Sequence, residues 1–159
     1  MKSIFAALVF AIGTLTAAVA VAASSNSIAI EHAWARASPK GAVTGATYVT
    51  IVNNGSSEDR LLSVSSPAAE RIQFHSETND NGIAKMVQLP TIDVPAGGSF
   101  TFKPGGTHMM MTGLKQQLRE GETVELFLKF ERAGVVEAMA HIGKIAAMAD
   151  PGNQAGTVN

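Results

Sequence analysis

Apolar and polar residues alternate most clearly between Thr123 and Phe130, where Val124, Leu126, Leu128 and Phe130 interleave with Thr123, Glu125, Phe127 and Lys129. A period of two defines a strand with one apolar face. Gly45 to Val52 is rich in β-branched residues and ends at the turn sequence Asn53-Asn54-Gly55, so a second strand is expected there. Weaker versions of the pattern place strands at Ile28 to Arg36, Arg60 to Ser65, Glu70 to Glu77, Ala84 to Leu89, Ser99 to Lys103, His108 to Thr112 and Val135 to Ile142. Between them fall Pro39-Lys40-Gly41, Asn79-Asp80-Asn81-Gly82, Pro95-Ala96-Gly97-Gly98, Pro104-Gly105-Gly106, Glu120-Gly121 and Ala133-Gly134. Many short strands punctuated every 8–12 residues or so predict an antiparallel sandwich or barrel. No long helical period competes, and only a short turn is expected near Leu114 to Leu118.

The first residues follow a different pattern. Lys2 precedes an apolar run from Ile4 to Leu15, then the small-residue signals Ala18-Val19-Ala20 and Val21-Ala22-Ala23, and the chain turns polar at Ser24-Ser25-Asn26. This is the layout of a secretory signal peptide over residues 1–23, with cleavage after Ala20 or Ala23. An uncleaved anchor is the competing reading, because Ile4 to Ala23 is nearly long enough to span a bilayer; the small, Thr-containing end favours cleavage. The remainder is sized for a single domain, expected over residues 24–149. A small, polar tail over residues 150–159 is expected to be disordered.

Composition narrows the function. The net charge is −1 with no clustered Lys or Arg, so neither nucleic acid nor, after signal cleavage, a membrane surface is an expected partner. The chain has no cysteine. That removes thiolate metal sites, a Cys nucleophile and lipid attachment after the apolar run, and it leaves core packing alone to stabilise an exported domain. No Gly-x-Ser-x-Gly motif is present, and Glu70, Glu77, Asp80 and Asp93 have no context that marks an acid/base pair. No catalytic residue is expected.

Four His and seven Met remain. On a strand, His108 and Met110 leave the same face, whereas Met109 and Met111 point the other way and are expected in the core. An isolated His-x-Met is weak as a motif. Its wider context is not. The spacing His75, ten residues, Met86, twenty-one residues, His108-Met109-Met110 resembles the metal motif of the periplasmic copper chaperones called PCuAC. Ala33-Trp34-Ala35-Arg36-Ala37, Gly45-Ala46-Thr47-Tyr48, Asp59-Arg60-Leu61, Val94 to Gly98, Pro104 to His108 and Leu118 to Val124 strengthen the resemblance, which runs from about Ile28 to Ile142.

The resemblance implies an all-β, cupredoxin-like Greek-key sandwich or barrel. It also implies one Cu(I) held by His75, Met86, His108 and Met110, and a periplasmic carrier that delivers copper to the CuA centre of cytochrome c oxidase, often alongside Sco-type thiol proteins. Two imidazoles and two thioethers form a soft, neutral set that suits Cu(I) independently of the family. The site is expected at an edge of the sandwich, with His75 and Met86 on strands either side of the Asn79 to Gly82 turn. Competing readings are a cupredoxin-like electron carrier, which normally needs a Cys ligand, and a copper-storage or resistance protein. His32 is expected to be a surface or half-buried residue, and Met139, His141 and Met148 are a weaker candidate for a second copper site.

Overall fold

A computed structural model describes residues 27–152. The proposed signal peptide and residues 153–159 lie outside the described residues. Ten strands form the fold: β1 (Ile28–Arg36), β2 (Thr44–Asn53), β3 (Asp59–Ser65), β4 (Ala69–Asp80), β5 (Ile83–Leu89), β6 (Ile92–Val94), β7 (Ser99–Thr101), β8 (Thr107–Leu114), β9 (Thr123–Phe130) and β10 (Val135–Gly143). They make one hydrogen-bonded sheet in the order β5-β4-β8-β2-β1-β10-β9-β3-β6, with β7 also on β2. Every pairing is antiparallel except β1 with β10. The fold is all-β, a cupredoxin-like Greek-key sandwich.

Alternation explains which face is inside. Val124, Leu126, Leu128 and Phe130 of β9 are all buried, as the period of two requires. On β2, Thr47, Val49 and Ile51 face the core; on β4, Ile72 and Phe74 do; on β8, Met109 and Met111 are fully buried opposite them. The short β6 was not anticipated: three residues are too few to display a period, although Ile92 and Val94 are both buried. The segment after Leu114 bends without forming a helix.

Two turns set the geometry that matters below. Asp80 pairs with Ile83, so β4 and β5 are joined by the two-residue loop Asn81-Gly82, at φ +53° and +84°. Both positive φ values fit the type I′ turn whose twist matches a hairpin. Lys103 and Thr107 close a second turn through Lys103 N–H to the Thr107 carbonyl at 2.8 Å, and this turn feeds β8. Near the end of β8, Gly113 has φ +64°, and a Cβ there would sit 2.5 Å from a Glu70 carboxylate oxygen. Gly113→Ala should therefore cost about 1–2 kcal/mol, mostly from the left-handed backbone, read as a lower urea midpoint.

Candidate metal centre

β5, β4 and β8 lie side by side at one end of the sheet order. His75 on β4 is directly opposite His108 on β8, so both imidazoles leave the same face, away from the core face that carries Phe74 and Met109. Their ring centroids are 6.0 Å apart. Met110 is two residues along β8 from His108, opposite Gln73, and shares that face. On the other side of β4, Met86 is opposite Glu77, two residues from His75 and again on that face. The register thus places all four sequence-predicted residues on one face of three adjacent strands. His75, His108 and Met110 are close neighbours, whereas Met86 sits one strand further out, 54% exposed on the protruding hairpin.

The two histidines differ in how they are held. The turn before β8 brings the Gly106 carbonyl to 3.0 Å from His108 Nδ1 and 3.3 Å from the Glu77 amide nitrogen, and the carbonyl accepts from both. Because a carbonyl only accepts, the proton is on Nδ1, and Nε2 keeps its lone pair for a metal.

His75 has no such partner. Both of its ring nitrogens are buried, and neither has a hydrogen bond; no other buried side-chain nitrogen or oxygen among the described residues is left in this state. Elsewhere buried polar groups are paired: Asp59 accepts from the backbone of Arg60, Arg132 and Ala133, Asn53 donates to the Ser57 and Val94 carbonyls, and Ser38 accepts from Leu118. An orphaned buried donor or acceptor costs about 1–3 kcal/mol, so a fold that satisfies the rest has retained this one against its own stability.

The face is not free of charge: Arg36 lines its cavity and Glu77 lies opposite Met86. His108 and Met110 line a surface cavity of about 240 Å³ with Arg36, Thr44, Ala46 and Ile145. Tyr48 follows Thr47 on β2, and Thr47 pairs with Met109, so the phenol shares the face of His108. It stacks on Trp34 at 4.3 Å between ring centroids, and the Arg36 guanidinium carbon lies 5.8 Å from its ring centre. Burial pushes the Tyr48 phenol above its ordinary range, Arg36 pulls it back, and Glu77 adds to the rise. The phenol therefore stays protonated and does not compete as a hard anionic donor. Arg36 Nε also donates to the Ala147 carbonyl at 2.8 Å, and its terminal nitrogen lies 3.1 Å from Met148 Sδ.

The weaker candidates separate. Met139 and His141 share the exposed face of β10 and line a different cavity, and Met148, held by Arg36, is not on that wall. His32, half exposed, does line that cavity, next to Asp150. Sequence reasoning had no signal for this meeting, because it depends on how the chain beyond β10 folds back.

Fold and donor cluster together define a cupredoxin-like domain with imidazole and thioether groups gathered on one face. Residues 28–142 match the LpqE-like lipoprotein family. The chain belongs to this family, which is that of the PCuAC domains. Lxx21020 of Leifsonia xyli subsp. xyli, which carries a lipoprotein name, is 29% identical over 107 residues, 67% of this chain and 63% of that protein. The chain thus spans less than two thirds of the length of this curated relative. Among solved structures, the apo PCuAC domain of PmoF2 has a TM-score of 0.66 and 30% identity, covering 77% of this chain and 94% of that domain. The same domain is also known with copper bound, at a TM-score of 0.64. DR1885 of Deinococcus radiodurans, solved with Cu(I), has a TM-score of 0.59 and 29% identity, covering 74% of this chain and 78% of that one.

Proposed function

We propose that this protein is a copper chaperone that binds one Cu(I) through His75, Met86, His108 and Met110 and passes it to an acceptor protein outside the cytoplasm. The observation that carries this reading is His75, whose buried nitrogens have no partner while His108 opposite keeps a free Nε2. A metal ion between the two rings would relieve the cost of the first and use the lone pair of the second. The thioethers of Met110 and Met86 complete a neutral set that favours Cu(I) over harder ions. Copper-bound structures of the PmoF2 domain and of DR1885 support copper as the cargo.

The layout suits a carrier and not a catalyst. Met86 reaches the ion from an exposed hairpin and is the ligand nearest an approaching protein, so an incoming donor can displace it while the two imidazoles still hold the metal. The recipient in this reading is the CuA centre of cytochrome c oxidase, with a Sco-type thiol protein as a companion. Residues 1–23 act as a signal peptide that sends the chain to the periplasm, residues 24–149 form the working domain, and the tail over 150–159 starts with Asp150 packed against His32. The absence of cysteine argues against a blue-copper electron carrier, whose site needs a thiolate.

Copper stoichiometry under reducing conditions tests the reading. One Cu(I) per chain is expected, with markedly weaker binding for Met86→Ala and His108→Ala; unchanged affinity in both variants would sink it. Affinity should also fall as pH drops from about 7.5 to 5, because protons compete with a metal for the imidazole nitrogens while methionine needs no deprotonation. Competition with a chromogenic chelator across that range checks the sign, and a flat profile from pH 7.5 to 5 would contradict it.

A further inference from the structure

A second group of metal-binding side chains is gathered on the outer face between β1 and β10. On β1, Glu31 pairs with Thr50 and Trp34 with Tyr48, so three steps on β1 match two on β2 and form a β-bulge. Within it, His32 takes φ +47°. Positive φ is uncommon away from glycine and costs free energy, and a bulge re-aims the side chain it carries. The re-aimed imidazole meets Asp150, with Nδ1 3.3 Å from Oδ2. Asp150 is itself largely covered, at 13% side-chain exposure, and its other oxygen accepts the Gly152 N–H at 2.9 Å. The carboxylate thus engages Nδ1 and leaves Nε2 for a metal, the arrangement by which a carboxylate orients a metal-binding histidine. Parallel pairing of β1 with β10 sets His141 opposite Trp34, with Met139 and Glu137 on the same exposed face. His32, His141, Glu137, Met139 and Asp150 line one open cavity of about 550 Å³.

We propose that this cavity is a second metal site, harder than the first. It takes a divalent first-row transition ion, Cu(II) most tightly, on the imidazoles of His32 and His141 with Glu137 as an oxygen donor, while Asp150 orients His32. As the side chains stand, no three His, Asp or Glu groups among the described residues encircle one point. His141 and Glu137 are both exposed, so the proposed set requires their side chains to turn toward an arriving ion beside His32. Two imidazoles and a carboxylate suit a divalent ion as two imidazoles and two thioethers suit Cu(I). The site shares no residue with the Cu(I) centre and stands independently of it.

The test is a titration of the full chain with Cu(II) sulfate in a His75→Ala/His108→Ala background, which removes both histidines of the first site. One Cu(II) per chain is expected, with nitrogen-coupled paramagnetic resonance and quenching of Trp34, the sole tryptophan, which pairs with His141. Adding His141→Ala or His32→Asn should each weaken Cu(II) binding by about tenfold or more. Asparagine is chosen because it tolerates positive φ. In the otherwise unaltered protein, His141→Ala should leave the Cu(I) stoichiometry at one, which separates this site from the carrier site. Loss of Cu(II) binding in the His75→Ala/His108→Ala background, or unchanged affinity after either added substitution, would overturn the proposal.

Discussion

His75→Leu should abolish high-affinity Cu(I) binding while leaving the copper-free protein at least as stable as the parent. Two opposite effects meet at this residue. In the proposed ligand set His75 is one of two nitrogen donors, and its loss should exceed the roughly 10–100-fold drop in affinity that follows removal of a group that merely orients a ligand. As a half-buried residue, it carries two covered ring nitrogens without hydrogen bonds, an unfavourable state costing about 1–3 kcal/mol that an apolar side chain of similar size does not incur. Chelator competition and thermal unfolding of the apo protein read the two effects separately. A variant that loses copper only because it unfolds would show a lower apo midpoint, and that result would assign His75 to packing.

Neighbouring methionines should divide the two roles between them. Met109 is fully buried and pairs with Phe74, whereas Met110 opposes Gln73 on the face of the two histidines. Met109→Ala should destabilise the fold by about 2–5 kcal/mol, the cost of a cavity where the surroundings relax only in part. The folded fraction of that variant should still bind one Cu(I). Met110→Ala should leave the unfolding free energy from urea titration within about 0.5 kcal/mol of the parent, as expected of a residue outside the core, and should weaken Cu(I) binding more than tenfold. Equal stability losses in the two variants, or equal affinity losses, would contradict the assignment of faces.

That division was legible in the sequence because a strand alternates its faces with a period of two, so a run of His and three Met has to split. The same rule located β9 by its interleaved residues and most of the other strands to within one or two positions; the larger error was in β4, which runs to Asp80 where the apolar signal stops at Glu77. Its extension is polar and exposed, and the Asn81-Gly82 turn and cross-strand pairing hold it, which a hydrophobic pattern does not record. The grouping of His75 and Met86 with His108 was available only through spacing typical of a family. The structure adds the physical content: direct opposition of His75 and His108, the Gly106 carbonyl that sets the His108 tautomer, and the orphaned nitrogens of His75. Nothing in the sequence announced the bulge at His32 or its contact with Asp150, because both depend on strand register and on chain return over a separation of 118 residues.

X-ray absorption of the protein loaded with one equivalent of Cu(I) tests the central claim most directly, because it counts donor types around the ion. The account predicts a shell of two nitrogen and two sulfur scatterers, from His75, His108, Met86 and Met110. A shell of nitrogen and oxygen alone, without sulfur, would contradict it.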